Sequence, residues 1–192
     1  MAATTVFVAP GEAVAAPGRT TETALPDGLD AVSNRIVVKV GAGGRVTIYN
    51  NAGGTDVVVD VNGWYTDATT AGTAGIYTPL VPVRVHDTRT AEFPFRIAAG
   101  GSIDVQVAGR GGVPATGVRA AVLNVTVTQP TAPGHLTISP SAIPRPLASD
   151  LNFAAGETRP NLVVVQLGLG GGVTVYTSSE AHIVVDVAGW IS

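Results

Sequence analysis

Cysteine is absent from this 192-residue chain, lysine and methionine each occur once, and aromatic residues make up only 5% of it. Each shortage excludes something. Without thiols there is no disulfide scaffold, no zinc–thiolate site and no thiol nucleophile, while the redox compartment stays open. Only 13% of residues are charged, the net charge is -3, Lys39 is the sole lysine and the arginines are scattered singly. No basic stripe exists to neutralise phosphates, so nucleic acid is not an expected partner. Apolar runs never approach the roughly 18–20 residues that a membrane helix needs, and membrane insertion is not expected. Between Met1 and Gly18 there is no basic n-region, and Pro10, Gly11 and Glu12 interrupt any apolar h-region. That reads against a signal peptide in the chain as given. Nor does any stretch of about 10–12 residues carry a helical apolar stripe.

What the chain does contain is valine, glycine and proline, arranged as short alternating runs between tight turns. One of these runs occurs twice. Val57-Val58-Val59-Asp60-Val61-Asn62-Gly63-Trp64 returns as Ile183-Val184-Val185-Asp186-Val187-Ala188-Gly189-Trp190, 126 residues later. Upstream, Arg45 to Tyr49 answers Gly172 to Tyr176, and Asn34 to Val38 answers Asn161 to Val165, both offset by 127. Thr5 to Pro10 matches His135 to Pro140 as well, at an offset of 130. The period is too long for a solenoid unit, so each copy is expected to be a domain or a large part of one.

Strands are predicted at Thr4 to Ala9, Thr21 to Leu25, Arg35 to Val40, Arg45 to Asn50 and Asp56 to Asn62. The last three suit a meander of antiparallel hairpins. After a small-residue linker come Tyr77 to Pro82, Val83 to Arg89, Ser102 to Ala108, Ala120 to Thr128, His135 to Pro140, Leu151 to Phe153, Leu162 to Leu167, Val173 to Thr177 and His182 to Ala188. In the run from Ala120, Ala121, Leu123, Val125 and Val127 share one face. The expected fold is all-β, an antiparallel β-sandwich or barrel module in tandem. Residues 77–192 read as a complete unit with a front part, 77 to about 130, and a back part. Residues 1–66 read as a back part alone, and 67–76 as the linker. A bare back part leaves the strand at Val6 to Val8 without the partner expected from Asn124 to Thr128. That front part is then either shared within the chain or supplied by a neighbour.

Few residues invite chemistry. Asp60 and Asp186 sit on valine-rich strands, where a carboxylate is costly unless paired, and Arg84 or Arg89 is the expected partner. Calcium would want a denser set of oxygens. Val85-His86-Asp87-Thr88-Arg89 is dense in ionisable groups, but alternation points His86 and Asp87 to opposite faces. Neither a Gly-x-Ser-x-Gly elbow nor a His-Glu-x-x-His is present, and His86, His135 and His182 have no metal-ligand spacing. No enzyme activity and no cofactor are expected. Trp64 and Trp190, with Tyr49 and Tyr176, recur in both copies. Their bland role is to plug the end of a sandwich; their sharper one is stacking on glycans.

An ordered set of motifs carries a resemblance. Pro82-Val83-Arg84-Val85-His86-Asp87-Thr88-Arg89, Gly112-Val113-Pro114, Val122 to Thr128, Gly134-His135-Leu136-Thr137, Leu151-Asn152-Phe153 and Val184 to Trp190 together resemble a repeat module of large secreted and surface proteins of actinobacteria. The resemblance covers residues 77–192 fully and 1–66 as the back part. Such modules stand beside hydrolase and protease domains. This implies a non-catalytic spacer, adhesion or wall-associated role, extracellular or at the cell surface, with no catalytic residue to carry over. His86 stands where leucine is more usual. The partners implied are cell-wall or surface glycans, or other copies of the chain in a homo-oligomer. Two further classes stay open: a virion structural protein of an actinobacterial phage (minor tail, fibre or decoration), which needs no export signal, and a carbohydrate-binding module.

Overall fold

The computed structural model describes residues 2–9, 34–39, 42–50, 57–64, 75–90, 92 and 94–192. The chain divides into two compact units, Met1–Ala74 and Gly75–Ser192. Among the described residues there is no α-helix, and the only helical turn is a 3-10 turn at Leu169–Gly171.

In the first unit β1 (Ala2–Ala9), β2 (Asn34–Lys39) and β3 (Val57–Trp64) form a sheet in the order β2-β1-β3. Both pairings are parallel, which corrects the expected antiparallel meander. The physical reason lies in the connections: parallel neighbours need a crossover of about a dozen residues or more, and the long segments between these strands provide it. The strand expected from Arg45 to Asn50 is also corrected. A turn covers 42–44, Arg45 makes a single bridge, and 46–50 have no regular structure. The strand expected at Thr21 to Leu25 lies outside the described residues.

The second unit is antiparallel throughout. One sheet has the order β5-β10-β7-β8, from β5 (Ser102–Gln106), β7 (Gly134–Pro140), β8 (Leu151–Phe153) and β10 (Gly172–Thr177). The other has the order β4-β11-β6-β9, from β4 (Tyr77–Asp87), β6 (Ala120–Thr128), β9 (Arg159–Gln166) and β11 (His182–Ile191). The alternation in β6 does what its period demands: Ala121, Leu123, Val125 and Val127 are wholly buried. They meet Leu136 and Ile138 of β7, Val173 and Val175 of β10, and Ile183, Val185 and Val187 of β11 in one apolar cluster built by both sheets. Thr88 to Arg89, expected to continue a strand, form the turn that ends β4.

Two irregularities shape β4 and β11. Opposite β6, Val187 faces Leu123 and Gly189 faces Val122, so Ala188 is an extra residue, a β-bulge. Gly189 follows because its backbone is approached closely: a Cβ there would lie 2.4 Å from Tyr77 Cε2 and 2.8 Å from Thr78 O. In β4, His86 faces Val185 and Arg84 faces Asp186, which leaves Val85 bulged. That extra residue sets Arg84 directly across from Asp186.

The second unit is expected to fold without the first. A truncated chain of residues 75–192 should unfold cooperatively in denaturant, and Leu123→Ala should cost it about 3–4 kcal/mol, as for other fully buried leucines. A non-cooperative melt of the truncated chain would show that its core is incomplete.

Candidate functional site

The densest cluster of charge in the second unit joins β4 to β11. Burial of a carboxylate requires partners, and Asp87, only 7% exposed, has a full set. Arg89 Nε donates to Oδ1 at 2.9 Å and Nη2 to Oδ2 at 2.8 Å, and the Arg89 backbone N–H donates to Oδ1 at 3.0 Å. Arg84 Nη1 adds a bond to Oδ2 at 3.1 Å. Arg84 also reaches across the ladder, with Nε 2.9 Å from Asp186 Oδ1 and Nη2 3.3 Å from Oδ2. Arg84 therefore bridges two aspartates, and the four side chains balance in charge.

Both expected arginines engage aspartates, but different ones: Arg84 takes Asp186, and Arg89 takes Asp87. Sequence reasoning missed Asp87 as the hub. The signal was available in Asp87-Thr88-Arg89, because an aspartate that accepts the backbone N–H two residues on is an Asx turn. Asp60 and Trp64 lie in β3, whose described features there are those of the backbone. Trp190 is partly buried and packs against the core cluster.

The neighbouring residues also hold strands. Thr88 is fully buried, its hydroxyl 3.0 Å from His182 Nδ1 and accepting the Ile183 N–H at 2.9 Å. Its own backbone N–H donates to Ile183 O at 3.0 Å. Side-chain hydrogen bonds from Arg89 are the main reason that the Asp87 carboxyl is held far below the usual carboxylate range, with burial opposing them. His86 and His182 are both shifted down, chiefly by burial.

A second feature lies on the outer face of the other sheet. An open depression of about 480 Å³ is lined by Gly100, Ser102, Ser139, Ile143, Arg145, Thr174 and Tyr176. Arg145 places its guanidinium 4.1 Å from the centre of the Tyr176 ring, and His135 lies 5.8 Å away at a tilted angle. Thr174 donates to Asp104 across the β10–β5 ladder. An aromatic ring, a cation and several hydroxyls on a shallow surface can recognise a polar, sugar-like ligand. Among the described residues no group of three or more His, Cys, Asp or Glu side chains is placed to hold a metal ion.

No family model matches the chain, and no curated protein does. Two solved structures of the coat protein of Tobacco streak virus are similar to part of it. One has a TM-score of 0.32 at 11% identity over 63% of this chain and 90% of that chain. The other, of the coat protein dimer, has a TM-score of 0.30 at 10% identity over 63% of this chain and 89% of that chain. At these TM-scores the likeness carries no weight for fold or function.

The ionic cluster generates a pH prediction. Asp87 has a depressed folded pKa, so its contribution is present above the unfolded value near 3.9 and is lost as pH falls below it. The two histidines act in the same direction from about pH 6.5 downward, because burial disfavours their charged form. Stability should therefore fall on acidification. Asp87→Asn should cost about 2–3 kcal/mol at pH 7 and flatten the limb below about pH 4. Denaturant melts of the two proteins from pH 7 to pH 3 check this; parallel acid limbs would exclude Asp87 as the titrating group.

Proposed function

We propose that this chain is a non-catalytic structural and attachment module of the extracellular or cell-surface type, with one complete β-sandwich unit preceded by a partial repeat of it. The observation that carries this reading is the use made of Arg84, Asp87, Thr88, Arg89, His182 and Asp186. This is the cluster that most suggests catalysis in the sequence, yet every one of these side chains holds β4, its turn or β11 in place. An aspartate clamped by two arginines and held strongly acidic is a poor general base at neutral pH. The tight valine core supports a role in rigid display. Attachment through cell-wall or surface glycans is supported by the hydroxyl-lined depression beside Tyr176 and Arg145, a better-placed platform than Trp190, which packs on the core.

A second reading, a virion structural protein, is favoured by one observation. In the first unit Val57, Val59 and Val61 are exposed by 41%, 41% and 66%, whereas their counterparts Ile183, Val185 and Val187 are wholly buried. An apolar row of this kind drives association of copies.

Two measurements separate these readings. Co-sedimentation with insoluble cell-wall polysaccharide should retain the chain, and Tyr176→Ala or Arg145→Ala should lower the retained fraction severalfold without changing the melting temperature. Loss of neither would remove glycan attachment at this face. Light scattering should show mass rising above the monomer with concentration and returning to the monomer in Val59→Lys and Val61→Lys. A closed oligomer of fixed size would favour the virion reading.

A further inference from the structure

In the second unit β9, β6 and β11 lie side by side, and their residues form rows across the sheet. Asn161, Val125 and Val185 make one row; Leu162, Asn124 and Asp186 the next; then Val163, Leu123 and Val187; and further on Val165, Ala121 and Trp190. In the first unit the corresponding rows across β2, β1 and β3 are Asn34, Thr4 and Val59; Arg35, Thr5 and Asp60; Ile36, Val6 and Val61; and Val38, Val8 and Trp64.

The outer members of every row are equivalent positions in the sequence. Asn34 and Ile36 precede Asn161 and Val163 by 127 residues, and Val59 and Val61 precede Val185 and Val187 by 126. The bulge recurs too: Val61 faces Val6 and Gly63 faces Phe7, so Asn62 is the extra residue where Ala188 is in β11. Both units therefore hold a slot one strand wide between flanking strands of the same register. Only the occupant differs. In the second unit it is β6, antiparallel to both neighbours; in the first it is β1, parallel to both.

β1 is not the sequence counterpart of β6. It corresponds to β7, which lies in the other sheet beside β10. Residues 46–50, the counterpart of β10, form no strand, and Val46 and Ile48 are exposed there. With β1 in the slot, the described residues of the first unit form one sheet, and Val57, Val59 and Val61 stay partly exposed.

We propose that the slot between β2 and β3 is an acceptor site for a β-strand of the β6 type, carried by an uncommitted front-half segment of another polypeptide. The incoming strand enters antiparallel and alternates branched apolar residues about a central Asn, as Val122 to Thr128 do. β1 then moves beside residues 46–50, with Val8 next to Ile48, the register that Ile138 and Val175 have in the second unit. An intact second copy does not supply this strand, because its own β6 has both edges paired. Strand addition of this kind draws affinity from main-chain hydrogen bonds and register from alternate side chains.

The chain's lack of cysteine makes the register directly testable. The probe is a synthetic peptide of residues 119–129 carrying Leu123→Cys or Val125→Cys, added to the full chain carrying Val61→Cys or Val59→Cys under mild oxidation. Matched pairs, 61 with 123 and 59 with 125, should cross-link at least about tenfold faster than the mismatched pairs, because directly opposed residues fall within disulfide reach and diagonal ones do not. Val187→Cys should stay unreacted, its slot being filled by β6. Equal rates for matched and mismatched pairs, equal reaction at Val187→Cys, or no cross-link at either first-unit cysteine would each overturn the proposal.

Discussion

The antiparallel pairing of β6 with both β9 and β11 is the constraint on which the second unit depends. β9 and β11 run the same way, so no hairpin joins them, and β6, running the opposite way, lies between them and pairs with both. β10 follows β9 and precedes β11 in the chain while lying in the other sheet, so the chain passes from one sheet to the other and back around this centre. The inward side chains of β6 are wholly buried, so the strand supplies hydrogen bonds on two edges and much of the apolar surface that holds the sheets together.

A valine-rich ladder is poor at choosing its own register, because many of its positions look alike. Slipping by one residue would turn a strand's whole apolar set to the wrong face, which penalises odd slips, but slips of two are weakly opposed. The charged residues supply the missing information. Arg84 reaches Asp186 only because Val85 is bulged, and the same Arg84 reaches Asp87 at the turn. These pairs involve arginines that are nearly half exposed, so their net contribution to stability is modest. Their physical effect is to fix which residue of β4 lies opposite which residue of β11.

The second unit was largely legible in the sequence, because period-2 alternation and turn residues are local signals. The face carrying Leu123, Val125 and Val127 was plain from alternation, and the aspartate on a valine strand announced a partner. What was not legible is non-local. The choice between Arg84 and Arg89 turns on a bulge, and nothing in Val83-Arg84-Val85 marks one. The first unit misled for the same reason. Arg45 to Asn50 has the composition of a strand, but composition does not say which edge it would pair with, and beyond a single bridge at Arg45 it joins none.

The two units thus put one sequence pattern in two circumstances. In the second unit Ile183, Val185 and Val187 are covered by a second sheet, whereas their counterparts Val57, Val59 and Val61 in the first remain partly in water. Covering a valine fully is worth about 1.5–3 kcal/mol, so three partly covered ones leave several kcal/mol unrealised. The parallel ladder of β1 satisfies backbone donors and acceptors on the inner edges of β2 and β3, whereas in the proposed rearrangement β1 would lie beside residues 46–50 and begin a second sheet. Hydrogen bonding and apolar burial therefore favour different positions for β1 in the first unit. In the second they agree, because β6 satisfies the edges and leaves β7 free to cover the face.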